Sequence, residues 1–168
     1  MAIRFGTATG RALWMPLLLA GLFAAGMAAA PLRCAERDIY PSPSRAQADL
    51  NAALAEAAAR HKRIILDFGG NWCPDCHVLD RYLHDSTNGP LLDANYILVH
   101  VNIGRLNENL DVARRYQVPL AKGVPALAVL DEHGKLLYSQ KTGEFEAMRR
   151  MQSAAVSEFL AQWKRPSA

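Results

Sequence analysis

At 168 residues the chain is long enough for one domain with a buried core. Its formal net charge of +3 is unremarkable, and would be about +1 without Arg4 and Arg11. No basic run is interleaved with aromatics, so the composition excludes a nucleic-acid-binding face.

Arg4 and Arg11 precede an uncharged stretch, residues 12–30, rich in Leu, Ala, Phe and Met and ending in an Ala28-x-Ala30 arrangement. That order is a secretory signal peptide over residues 1–30. The alternative is an uncleaved membrane anchor, since about 19 apolar residues nearly span a bilayer. Both readings put the remainder in an extracytoplasmic compartment, where disulfides persist. Cys34 reads as a free thiol in a flexible tail or as an intermolecular partner; Arg33 before it is wrong for lipid attachment.

Residues 31–43 carry Pro31, Pro41 and Pro43 and read as a tether, so the domain is expected over residues 44–165. Ser44, with Gln47 three residues on, reads as a capping box opening a helix over residues 45–60. Leu50, Ala53, Leu54 and Ala57 fall on one face of it. Residues 63–68 are a short apolar β-branched run closed by Gly69-Gly70, which predicts a buried strand. Residues 73–84 read as a helix, and residues 85–95, with Gly89-Pro90, as a loop or broken turn. A second strand is expected over 96–103, a short helix over 109–116 and a third strand over 126–130. Residues 131–134 form a hairpin turn into a returning strand over 135–140. Residues 144–151 read as helical, with Arg149 and Arg150 as solvated surface, and Ser153 caps a final helix to about Lys164. Alternating strands and helices predict parallel pairing, with one antiparallel strand added by the hairpin.

The chemistry concentrates in Trp72-Cys73-Pro74-Asp75-Cys76-His77. Cys-x-x-Cys serves a redox dithiol, and Cys-x-x-Cys-His serves covalent haem attachment; this hexapeptide satisfies both. The dithiol directly follows a strand and opens a helix. The N–H groups and dipole of a helix N-terminus favour an anion, so Cys73 is expected to have a lowered pKa and to be the attacking sulfur. Pro74 fits the first helical turn, where its missing N–H costs nothing. Cys76, one turn on and more buried, is placed to resolve a mixed disulfide.

From Ile64 to Cys76 the chain resembles the strand and active-site motif of the thioredoxin superfamily, and Gly123-Val124-Pro125-Ala126-Leu127 resembles its second signature. The similarity spans roughly residues 60–164 and is greatest to small exported thioredoxin-like proteins of bacteria. It implies an α/β thioredoxin-like fold, with a central mixed sheet flanked by helices. It implies a cis peptide before Pro125, facing the dithiol, and a buried acid at Asp67 that helps move the proton of Cys76. His100 falls where thioredoxins carry a lysine near that acid. The implied activity is thiol–disulfide exchange on protein cysteines, with Trp72 shielding the thiols and Val124 and Pro125 lining the substrate groove. No cofactor beyond the redox-active disulfide is implied; the partners are protein thiols or disulfides and a membrane or soluble donor that recharges the pair.

Several positions depart from that pattern. Gly69 stands where thioredoxins usually carry tryptophan, residues 119–122 resemble an insertion, and residues 85–95 are longer than the equivalent turn. Asp75 replaces the usual glycine or histidine between the cysteines. A carboxylate there opposes a Cys73 thiolate, which biases the pair toward reduction or isomerisation; a protonated His77 would partly offset it. Two other classes stay open at this point. One is a c-type haem protein with His77 as proximal and Met148 or Met151 as distal ligand. The other is a redox-inert binding module using the cis-proline groove. A metal site through the two thiols and His77 lacks an evident fourth ligand.

Overall fold

In the computed structural model, which describes Ala2 and residues 37–166, four strands form one sheet in the order β2-β1-β3-β4. Chain order runs α1 (Ala46–Arg60), β1 (Arg63–Gly69), α2 (Pro74–Leu83), α3 (Asn88–Asn95), β2 (Tyr96–Asn102), α4 (Leu110–Arg115), β3 (Ala126–Leu130), β4 (Leu136–Ser139) and α5 (Ser153–Trp163). The leader expected over residues 1–30 and Cys34 lie, apart from Ala2, outside the described residues. Among the described residues no helix is long and apolar enough to cross a membrane.

Strand alternation divides the core in two. Ile64, Leu66 and Phe68 of β1 pack with Val99 and Val101 of β2 against Leu50, Ala53 and Ala57 of α1. Ile65 points the other way, with Leu127 and Val129 of β3, against Leu79 and Leu83 of α2 and Val156, Phe159 and Leu160 of α5. Asp67 and Gly69 share the parity of Ile65, so they face the α2 side. Each large aliphatic side chain so buried contributes about 1.5–3 kcal/mol.

The sheet is less parallel than the strand–helix alternation predicts. Only β1 and β2 run parallel; β3 is antiparallel to both β1 and β4. The register gives the reason. β2 leaves the sheet at Asn102, opposite Gly69, and β3 enters at Ala126, opposite Phe68. Exit and entry are at the same end, so the connection through the six-residue α4 never crosses the sheet. This places residues 124–125, just before β3, beside the residues just after β1.

Other local expectations are corrected. α1 begins at Ala46 after a 3₁₀ turn at Pro43–Arg45, and Ser44 faces the Ser42 hydroxyl instead of capping. Gln47 bonds Asn51, one turn along α1, so no capping box forms. The segment read as a loop over 85–95 holds α3. Asp85 Oδ1 accepts from the Thr87 and Asn88 N–H groups at 2.9 and 2.8 Å, and Pro90 falls in the first turn, where no N–H is missed. Residues 144–151 are turns with one 3₁₀ segment, Met148–Arg150, not a helix. Ser153 does not cap α5, because its hydroxyl donates to Asp85 and accepts from Asn88 Nδ2. Finally, residues 37–43 pack onto the domain: Tyr40 is buried against the dithiol.

Candidate active site

Cys73 is the N-cap of α2. Its extended backbone (φ −98°, ψ 107°) lets its Sγ accept the Cys76 N–H at 3.1 Å, and Pro74 occupies the first turn. Cys73 and Cys76 are joined as a disulfide, with Cα atoms 5.3 Å apart. Cys73 retains 3% exposure and Cys76 none, so an incoming sulfur meets Cys73 first. The Val124–Pro125 peptide is cis, and the Val124 carbonyl oxygen lies 3.7 Å from Cys73 Sγ. Gln140, almost fully buried, steadies the strand that follows. Its side-chain oxygen accepts the Leu127 N–H at 3.2 Å, and its Nε2 donates to the Pro125 carbonyl at 3.4 Å.

Trp72 is 39% exposed beside the dithiol. Its indole N–H donates to the Gly104 carbonyl, and the Arg105 guanidinium lies 5.4 Å over its ring. Gly104 turns with φ +57°, and a Cβ there would press on Asn107 and Glu108.

Asp67 has no exposure. Its Oδ2 accepts the Tyr40 hydroxyl at 2.6 Å and lies 2.9 Å from His100 Nδ1, while its Oδ1 has no partner among the described residues. Burial, then the Asp67 charge and hydrogen bond, push the Tyr40 ionisation well above its ordinary value, so the phenol stays a donor. Tyr40 occupies space that Gly69 leaves open. A Cβ on Gly69 would stand 2.4 Å from the Tyr40 hydroxyl and 2.7 Å from Cys76 Sγ. The missing tryptophan at position 69 and the buried Tyr40 are therefore one feature. Asn71 holds that tyrosine in place: its Oδ1 accepts the Ile39 and Tyr40 N–H groups, and its Nδ2 donates to the Tyr40 carbonyl, each at 2.9 Å.

Beyond His100 stands Asp80, 3.7 Å from His100 Nε2 and 3.2 Å from His84 Nδ1. Burial opposes the Asp80 charge, but the hydrogen bond and charge of His84, then His100 and Arg37, hold its carboxyl below the ordinary value. The Asp80 hydrogen bond raises His84 in turn, so this histidine is tied to α2.

Asp75 is not left to oppose the dithiol alone. Its carboxylate accepts the Arg149 backbone N–H at 2.8 Å and the Arg149 Nε at 3.1 Å. Arg149, expected as solvated surface, is the counter-ion of the residue between the cysteines, and with Arg150, Glu146 and Ala147 it lines a recess of about 330 Å³ beside Asp75. His77 is buried on α2 with Nε2 2.9 Å from the Asn71 carbonyl oxygen; that oxygen only accepts, so Nε2 carries the proton there. This commits the nitrogen the haem reading needs. Of its two distal candidates, Met148 is fully enclosed in the α2–α5 core and Met151, partly buried, packs against the same core. Among the described residues no group of three or more His, Cys, Asp or Glu could hold a metal.

The structure places Cys73, Cys76, Asp67, Trp72, Pro74, Asp75, His77, Val124 and Pro125 at one end of the sheet, whereas Met148 lies in the α2–α5 core and Cys34 outside the described residues. The sequence reading missed Tyr40, Asn71, Asp80, Gln140 and Arg149. Gly69, where thioredoxins carry a large side chain, was the one signal that another residue must fill the space.

A family model described as thioredoxin-like matches residues 45–132, just over half of the chain. Among solved structures, the disulphide isomerase from Xylella fastidiosa Temecula1 is 32% identical, covers 76% of this chain and 98% of its own, and superposes with a TM-score of 0.72. The germline-specific thioredoxin Deadhead from Drosophila melanogaster is 18% identical over 71% of this chain and 95% of its own, with a TM-score of 0.50; that likeness concerns the fold. Curated protein sequences gave no match.

Proposed function

The chain belongs to the thioredoxin-like family, and from there we propose that it performs thiol–disulfide exchange on protein substrates through Cys73 and Cys76, on the reducing or isomerising side, in the periplasm. The observation that carries this is the setting of Cys73 Sγ: it caps α2, accepts the Cys76 N–H, and lies beside the carbonyl of a cis Val124–Pro125 peptide. The likeness to a disulphide isomerase supports the class of reaction.

In the reduced enzyme the Cys73 thiolate attacks one sulfur of a substrate disulfide. That bond breaks, the other substrate sulfur leaves as a thiolate, and a Cys73–substrate disulfide forms. Cys76 then attacks Cys73, its proton passing to Asp67, and the second substrate sulfur leaves. The substrate disulfide is reduced and the Cys73–Cys76 pair oxidised. Two electrons from a membrane or soluble thiol donor recharge the pair, and no further cofactor takes part. Trp72, Val124 and Pro125 border the place where the substrate chain docks, and His77 and Asn71 hold the start of α2. The apolar stretch of residues 12–30 serves as the export signal.

The test is insulin reduction with a dithiol donor, together with the reduction potential of the pair. The wild type is expected to reduce insulin and Cys73→Ser to lose that activity. Equal activity in both, or none in the wild type, overturns the reading in favour of a redox-inert binding module. A potential near −120 mV, the range of a strong periplasmic oxidant, overturns the direction.

A further inference from the structure

We propose that Tyr40, from the segment ahead of the first helix, is a positioning residue of the dithiol: it fixes the buried Asp67 carboxylate so that the carboxylate takes the Cys76 proton in the resolving step. The inference rests on the exchange reaction above and adds a residue to it.

Four observations meet at this point. Asp67 and Gly69 lie on the same face of β1, and the Cβ position of Gly69 is 2.4 Å from the Tyr40 hydroxyl and 2.7 Å from Cys76 Sγ. Tyr40, Cys73 and Cys76 form one buried cluster, joined by Ile39 and Val124. The Tyr40 hydroxyl and His100 Nδ1 both lie against Oδ2 of Asp67, at 2.6 and 2.9 Å. Oδ1, fully enclosed, has no partner among the described residues. Loading both neighbours onto one oxygen holds the carboxylate in a single orientation and keeps the other oxygen open to accept a proton. A buried carboxylate is costly to hold charged without such donors.

The position of Tyr40 is built, not incidental. Three asparagines clamp the backbone around it. Asn71 makes three hydrogen bonds to Ile39 and Tyr40, Asn102 Nδ2 donates to the Pro41 carbonyl at 2.8 Å, and Asn109 Nδ2 donates to the Pro43 carbonyl at 3.0 Å. Asn71 lies two residues before Cys73, and Asn102 pairs with Gly69 in the β1–β2 register, so the strap is fastened at the end of the sheet that carries the dithiol.

The step balances as follows. In the mixed disulfide, the Cys76 S–H gives its proton to Asp67 while its sulfur attacks Sγ of Cys73. The Cys73–Cys76 bond forms, the Cys73–substrate bond breaks, and the bonding pair leaves on the substrate sulfur, which is thereby reduced. Tyr40 keeps its own proton throughout.

The decisive experiment uses Tyr40→Phe, which keeps the ring and removes the hydroxyl. Stopped-flow reduction of a disulfide peptide separates the two steps, with the first step isolated in a Cys76→Ser background. The expected result is a resolving rate lower by about tenfold, with the mixed disulfide accumulating and the first step unchanged. A wild-type resolving rate, or an equal slowing of both steps, overturns the proposal. Asp67→Asn supplies the second test: Tyr40→Phe added to it is expected to slow resolution less than twofold further, because Tyr40 acts through that carboxylate. A full tenfold additional loss overturns it. If the wild type shows no dithiol-dependent exchange, the functional reading fails; an active wild type matched by Tyr40→Phe defeats only this inference.

Discussion

Two carboxylates flank the dithiol, and their surroundings differ in every respect that matters chemically. Asp75, between the cysteines, receives a backbone N–H and a guanidinium from Arg149, a side chain that stays cationic at any working pH. Its negative charge is answered by a permanent positive one. Asp67, buried on β1, has a phenol and an imidazole on one oxygen and, among the described residues, no partner on the other. Neither neighbour is a permanent cation. In the proposed mechanism one residue type thus serves as a fixed charge on one side of the disulfide and as a seat for a mobile proton on the other.

The most severe way to break this contrast is to fill the space between Tyr40 and Cys76. Gly69→Ala would set a Cβ 2.4 Å from the Tyr40 hydroxyl and 2.7 Å from Cys76 Sγ, distances that real side chains do not tolerate. Overpacking of this kind costs about 2 kcal/mol. Urea denaturation should show that loss, accompanied by lower exchange activity as Tyr40 is displaced. Unchanged stability would mean that the strap yields freely and that Tyr40 is not fixed.

How much of this was legible beforehand follows the same division. The positions of the dithiol, Pro125 and Asp67 could be read because each lies within a contiguous motif that carries the family resemblance. The strand directions were misread because the alternation of strands and helices says nothing of which end a connection returns to; the register of Ala126 opposite Phe68 does. Tyr40 was hidden because Pro41 and Pro43 make its neighbourhood look like a linker, while its binding partners, Asn71 and Asp67, are about 30 residues away. Arg149 was hidden in the same way: a doublet of arginines reads as surface, and Arg149 is indeed largely exposed, yet one edge of it is committed to Asp75. Long-range polar pairing leaves no periodic trace.

A smaller effect is expected from loosening the strap. Asn71→Ala removes three hydrogen bonds to Ile39 and Tyr40 and should cost about 1–1.5 kcal/mol, since part of each bond is regained with water. Faster proteolytic cleavage within residues 37–43 would report the release directly. Resistance equal to the wild type would show that Asn102 and Asn109 suffice.

On the other side of the disulfide, Arg149→Met leaves Asp75 with its backbone partner alone. The uncompensated carboxylate then opposes a Cys73 thiolate, the reduced form weakens, and the potential becomes more negative. Arg149 is 63% exposed, so solvent screening limits the effect to about 0.5 kcal/mol, or roughly 10 mV. Asp75→Asn should move the potential the opposite way. Equilibration with glutathione measures both, and a shift of the same sign in the two variants would remove Asp75 from any part in tuning the pair.

The least effect lies where the Asp67 side reaches solvent. His84 binds a proton more readily in the folded protein, chiefly through its hydrogen bond to Asp80, so the stability it lends is complete below about pH 6.5 and fades as pH rises through its higher folded value. Asp80 is shifted the other way, so its share is present above about pH 3.8 and fades as pH falls through its lower folded value. The pair therefore contributes most between those limits. His84→Ala should lower stability by a few tenths of a kcal/mol more at pH 5.5 than at pH 9, a small difference because the imidazole is half exposed. Denaturation at the two pH values checks it. An equal loss at both would shift the anchoring of Asp80 to His100, 3.7 Å away, and join Asp80 to the proton-handling side instead of to the surface.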